Sequence, residues 1–133
     1  MGIKAKFLNV DLEINSTRDL TPLLQALSHD LFPLAEHFPI GCLRLEAKRP
    51  PEPITLDGTL NHICEILNKL GGNERELWNG WHSKEFNIGL MSGTRHSDEF
   101  AISSHALHQI AALGASVTIT LYELDRSLPF EIT

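Results

Sequence analysis

Four segments of this 133-residue chain alternate apolar and polar residues, and the first of them, residues 8–15, does so without a break. Its apolar members are Leu8, Val10, Leu12 and Ile14. Because successive side chains of a strand point to opposite faces, the segment predicts a strand with one buried and one wet face. An alternating rather than continuous apolar run is typical of a sheet that is covered on one side only.

The same alternation predicts three further strands, at residues 41–48, 86–91 and 115–122. Apolar residues at helical spacing predict one helix between each successive pair of strands. The predicted N-caps of these helices are Thr21, Thr55 and Ser103. Residues 73–84 are read as a loop or a single turn. The resulting order, β-α-β-α-β-α-β, predicts an α+β fold with a four-stranded, mainly antiparallel sheet and helices packed on one face.

Three details of this arrangement can be checked individually. The last helix is expected to bury a stripe that includes Leu107 and Ile110, and the last strand to point Val117, Ile119 and Leu121 inward. The opposite, open face of the sheet is expected to carry mostly polar side chains. These are Asn9, Asp11, Glu13, Arg44, Glu46, Lys48, Asn87, Met91, Thr118, Thr120 and Tyr122.

The length fits a single domain over residues 1–133, in which the tail, residues 124–133, either lies along the surface or is loosely ordered. No apolar signal segment opens the chain, and its apolar stretches are far shorter than the about 20 residues that span a bilayer. These features predict a soluble, cytoplasmic protein that does not bind membranes.

The formal net charge is −6, from 17 acidic and 11 basic residues. Binding to nucleic acid is disfavoured, because it requires a basic surface that displaces counterions. An acidic surface suits a basic protein partner, whose approach is accelerated by long-range attraction. The same charge also serves solubility alone, and the composition does not separate the two interpretations.

No motif of a known catalytic, phosphate-binding or metal site occurs in the chain. Cys42 and Cys64 form no CxxC pair and are expected to be reduced structural residues. His105 and His108 are three apart on a predicted helix but lie outside its apolar stripe, so they are expected on the exposed face. We therefore assign no catalytic residue, no metal ligand and no cofactor.

The most specific local feature is Trp78-Asn79-Gly80-Trp81, which holds both tryptophans of the chain. Tryptophan is enriched at binding hot spots, yet a Trp in a loop can equally close the end of the sheet as part of the core.

The carboxylates of Asp11 and Glu13 lie on one face of the first strand, about 7 Å apart by the rise of a strand. The predicted partner-binding residues are Trp78, Trp81, His82, Asp11 and Glu13.

The C-terminal third of the chain carries a family resemblance. Its segments are 85–90, 100–103 and 107–122, with a Ser-capped helix, Leu113-Gly114-Ala115-Ser116, and an alternating strand that ends in Tyr122. This ending resembles that of a family of short bacterial domains of unknown function. The resemblance implies a bacterial origin and a small accessory protein, such as those encoded beside secreted toxins.

Three functions follow from these observations. The leading hypothesis is an immunity protein that binds and inhibits a cognate toxin, with an acidic surface covering a basic nuclease site. One alternative is a small-molecule-binding domain or minor enzyme with a site near His82. The other is an oligomeric structural or interaction module, with Met91 and Tyr122 in a self-interface.

Overall fold

A computed structural model of the chain describes residues 2–34, 41–80 and 82–127. Nine elements follow one another in these ranges. They are β1 (Lys6–Ser16), α1 (Thr21–Leu27), β2 (Leu31–Pro33), β3 (Cys42–Ala47), α2 (Leu56–Asn68), α3 (Gly72–Asn79), β4 (His82–Met91), α4 (Ser104–Ala112) and β5 (Ser116–Tyr122). Residues 128–133 of the expected tail lie outside the described residues.

The five strands form one mixed sheet in the order β2-β3-β1-β4-β5. β1 pairs antiparallel with both β3 and β4, and β2 pairs antiparallel with β3. β5 pairs parallel with β4, because α4 crosses over the sheet between them. β1 is therefore the central strand, and β2 and β5 are the two edges.

The core lies on one side of this sheet. Val10, Leu12 and Ile14 of β1 are at most 1% exposed, and they form one apolar cluster with the buried residues of all four helices. α2 supplies the largest share, through Leu60, Ile63 and Leu67 among others, because its apolar residues recur every three to four positions. The predicted α+β class is confirmed. No helix of the described ranges is both long and apolar enough to cross a membrane.

The predicted count and order of elements are wrong, because the sheet has five strands and two elements were missed. β2 has only three residues, too few for an alternating pattern to show. α3 replaces the loop predicted over residues 73–84, and it turns only Leu77 and Trp78 inward, so its apolar stripe is sparse. Gly72, the first residue of α3, follows the end of α2 closely and has a φ of +56°, a left-handed conformation that favours glycine.

Two of the three predicted N-caps are confirmed. The Thr55 hydroxyl accepts a hydrogen bond from the Gly58 N–H at 3.0 Å, and the Ser103 hydroxyl accepts one from the Ala106 N–H at 3.1 Å. Thr21 is instead the first residue of α1, and its N–H donates to the Asp19 carboxylate at 2.9 Å. Asp19 thus satisfies the backbone donor at this helix start.

Several residues predicted to be buried are exposed, and each case has a local cause. The register of β1 against β4 shifts between Phe7 and Asn9, which removes Leu8 from the buried face. Ile119 and Leu121 point to the helical side, in register with buried residues of β4, but they are 57% and 65% exposed because β5 is an edge strand. Leu107 is 48% exposed, since α4 turns other residues toward the core.

Candidate functional site on the open face of the sheet

The open face is the side of the sheet that carries no helix. Strand register brings four carboxylates together there on three adjacent strands. Asp11 lies between Glu46 on β3 and Asn87 on β4, and Glu13 lies between Arg44 and Glu85. The group Asp11, Glu13, Glu46 and Glu85 is called the acidic cluster below.

Asp11 and Glu46 are direct cross-strand partners in this cluster. Side chains in that position have Cβ atoms about 4.5–5.5 Å apart, and two like charges there are destabilising. Burial raises the pKa of Asp11, with the Glu13 charge adding to the effect and Arg44 opposing it. Burial also raises the pKa of Glu46, and the Asp11 carboxylate raises it further. Burial and the neighbouring negative charge thus disfavour the ionised form of each carboxylate.

Arg44 offsets only part of this charge. Its Nη2 atom lies 3.8 Å from Asp11 Oδ2, and its side chain is 47% exposed, so solvent screens the ion pair. Lys6, at the start of β1, is in register with Met91 at the far end of the face. The centre of the open face therefore carries more negative than positive charge.

Hydrogen bonds join polar side chains within and beside the cluster. Asn9 Nδ2 donates to Asp11 Oδ1 at 3.2 Å, and Thr120 Oγ1 donates to Asn87 Oδ1 at 2.9 Å. The Asn9 amide lies over Gly89, so closely that a Cβ atom at position 89 would collide with its oxygen. A glycine in β4 is required for this approach.

The spacing of the acidic cluster suits organic cations such as guanidinium and ammonium groups. No group of three or more His, Cys, Asp or Glu side chains is arranged to hold a metal ion in the described part of the chain. Carboxylates spaced along adjacent strands are good acceptors for guanidinium and ammonium groups, which donate several hydrogen bonds each. The open face therefore presents acceptors for such groups.

Trp78 does not belong to this surface. Its side chain is 0% exposed, and its indole N–H donates to the Leu113 carbonyl at 3.1 Å. Lys84 covers the ring, with Nζ at 5.0 Å from the ring centroid, and donates to the Trp78 carbonyl at 3.0 Å. The prediction of Trp78 as a partner-binding residue is corrected: this α3 side chain is part of the core and is not accessible to a partner.

The other predicted site residues lie on different sides of the sheet. His82 pairs with Ser16 and, by strand alternation, points to the helical side, where its Nε2 atom hydrogen-bonds the Leu77 carbonyl. Its Nδ1 atom is buried and has no partner among the described residues. Asp11 and Glu13 point to the open side, so the structure does not bring them together with His82. Trp81 lies outside the described residues.

Part of the cluster was visible in the sequence and part was not. The alternation of the predicted strands places Asp11, Glu13 and Glu46 on the open face, as found. Glu85 was missed because β4 begins at His82, four residues earlier than predicted. That Asp11 faces Glu46 follows only from the register, which no local pattern specifies.

Comparison of the chain with protein-family models, curated proteins and solved structures gives no match. The family resemblance of the C-terminal third therefore stays a prediction.

Proposed function

We propose that this chain is a protein-binding domain that docks through the acidic cluster on a basic surface of another protein, and that it acts as an immunity protein against a cognate toxin. The observation that carries the proposal is the placement of Asp11 directly opposite Glu46. Neither carboxylate belongs to the apolar core, and burial raises the pKa of both carboxyl groups.

The energetic argument concerns the difference between the free and the bound protein. In the free domain, two facing carboxylates repel each other and weaken the fold. A guanidinium or ammonium group of a partner that lies between them removes the repulsion and gains charge-assisted hydrogen bonds. The free energy that the repulsion costs the free domain is thereby regained when the partner binds, and it adds to the affinity.

The choice of a toxin as partner rests on charge and on the family resemblance. A chain with a net charge of −6 is attracted to a basic surface at long range, and a nuclease has such a surface where it holds its substrate. Covering that surface excludes the nucleic acid. The protein would act in the cytoplasm, where an immunity protein meets toxin that has entered the cell.

The test is a calorimetric titration of the chain with the product of the reading frame directly upstream of its gene. A one-to-one complex with Kd near or below about 10 nM is expected. Raised salt is expected to slow association, because exposed charges are screened. If no complex forms at low or at high salt concentration, the product of that reading frame is not the partner of this chain.

The surface is tested with two double variants that change net charge equally. Asp11→Asn with Glu46→Gln removes the facing charges and is expected to weaken the complex at least tenfold. Glu99→Gln with Glu123→Gln, at exposed positions away from the cluster, is expected to leave Kd nearly unchanged. Equal affinities for the two variants would exclude the acidic cluster as the binding surface.

A further inference from the structure

The two edges of the sheet differ in how they are protected against pairing with another strand. β2 has only three residues and ends in Pro33, which lacks a backbone N–H. β5 has seven residues and pairs with β4 without a register shift. Edge strands are normally shielded by charged residues, proline or a bulge, and β5 has none of these. Within the described residues, β5 pairs with β4 alone.

Apolar side chains are concentrated at this unprotected edge. Ile119, Leu121 and Tyr122 are 57%, 65% and 52% exposed. Leu107 of α4 is 48% exposed. It is two residues from Gln109, whose amide donates to Asn61 of α2, so at 100° per residue Leu107 lies on the flank of α4 that faces away from α2. Since α2 packs against β1, that flank is the one toward the β5 edge.

We propose that the β5 edge is a self-association surface, on which a second copy of this chain pairs its own β5 antiparallel about a two-fold axis at Ile119. In this register, Ile119 lies opposite Ile119 of the second copy. Val117 lies opposite Leu121, and Thr118 lies opposite Thr120. Directly opposite residues of an antiparallel pair share a face, so apolar side chains meet on the helical side and threonines on the open side.

Charge and symmetry together favour a copy of this chain over an unrelated strand. A two-fold axis brings only the residues on or beside the axis near their own counterparts, so a charge there would face its like. β5 contains no charged residue, although the chain as a whole carries a net charge of −6. The strand is also symmetric in residue type about Ile119, with a threonine on each side and an aliphatic residue beyond each threonine.

The exposed area is adequate for association of moderate strength. The exposed parts of Leu107, Ile119, Leu121 and Tyr122 amount to on the order of 300 Å² of largely apolar surface per copy. A standard stable interface buries about 800 Å² on each partner, so strand backbone and the flank of α4 must supply the remainder. We therefore expect a dimer that dissociates on dilution.

This inference is independent of the proposed function, because the acidic cluster lies on the open face and the proposed contact is at an edge. The dimer would join two five-stranded sheets into one sheet and present two acidic clusters on the same side. Loss of dimerisation would leave the acidic cluster intact, and loss of the cluster would leave β5 intact.

The test is sedimentation velocity over a wide concentration range. The mass is expected to rise from that of the 14.9 kDa monomer toward twice that value. Ile119→Lys and Ile119→Glu are each expected to be monomeric at every concentration, because like charges then face each other on the axis. An equal mixture of the two variants is expected to dimerise again, since the lysine of one copy faces the glutamate of the other.

Ile54→Lys is the matched control, because Ile54 is 52% exposed and lies beside the β1–β3 side of the sheet. This variant is expected to dimerise like the parent chain, and circular dichroism should show that all variants are folded. A parent chain that stays at 14.9 kDa throughout would overturn the proposal. The proposal would also be overturned if the parent chain is monomeric and dimerises only after removal of residues 128–133, because that result would mean that the chain's own C-terminal residues block the β5 edge.

Discussion

Asp11 and Glu46 face each other across β1 and β3, and burial raises the pKa of both carboxyl groups. A sheet built only for stability would place opposite charges, or uncharged residues, at such a pair of positions. In the proposed function this pair destabilises the free domain and contributes to binding of the partner. Its removal is expected to improve one and impair the other.

The first prediction is that Asp11→Asn stabilises the free domain at neutral pH. The folded-state pKa of Asp11 lies above the ordinary value of 3.8, so the stabilising effect of its protonation is present below 3.8 and is lost as the pH rises through the folded-state pKa. At neutral pH the variant should gain about 0.2–1 kcal/mol in free energy of unfolding. Urea denaturation at neutral pH and below 3.8 should show the gain only at neutral pH.

Glu99→Gln, on an exposed loop, serves as the control and should change neither measurement. The asparagine introduced at position 11 can still accept the hydrogen bond from Asn9, so the comparison isolates the charge. A loss of stability at neutral pH would mean that the Arg44 ion pair outweighs the repulsion from Glu46.

A second prediction concerns Trp78. Trp78→Phe leaves the Leu113 carbonyl without its indole donor and opens space in the core. The expected loss is about 1–3 kcal/mol of unfolding free energy, measured by urea denaturation. Partner affinity per folded molecule should stay unchanged. A variant of normal stability and weakened binding would instead place Trp78 in the contact surface.

Gly89 and Asn9 should be energetically coupled. Gly89→Ala alone is expected to displace the Asn9 amide, break its hydrogen bond to Asp11, and reduce stability. In an Asn9→Ala background the obstructing amide is gone, so the same substitution should cost less. A double-mutant cycle of urea denaturation measures the coupling, and strict additivity would show that Asn9 does not constrain position 89.

The two cysteines should differ in reactivity. Cys64 is 0% exposed, and burial, assisted by the Glu65 charge, raises the pKa of its thiol to about 11. Cys42, on β3, is half-buried. At pH 8 an alkylating reagent should therefore modify Cys42 and spare Cys64 in the native protein, and modify both in urea. Native labelling of Cys64, detected by mass spectrometry, would indicate that α2 opens locally.

Sequence periodicity identifies those parts of the fold in which a pattern extends over many residues. α2 and β1 were predictable because their apolar residues recur over several turns or over several alternations. β2 was not, since three residues hold no period. Ile119 and Leu121 were assigned to the correct side of the sheet, but their exposure depends on strand order. The same limit applies to Asp11 and Glu46, because their pairing is a property of register.

The position of β1 at the centre of the sheet has a consequence for synthesis of the chain. Its longest pairing is with β4, where Lys6 meets Met91 and Ser16 meets His82. These partners lie roughly 65 to 85 residues apart, a separation that slows folding. At about 5–20 residues per second, translation delivers β4 several seconds after β1. During that interval Val10, Leu12 and Ile14 lack the strand with which β1 forms its longest pairing, so part of this apolar face is uncovered on the nascent chain.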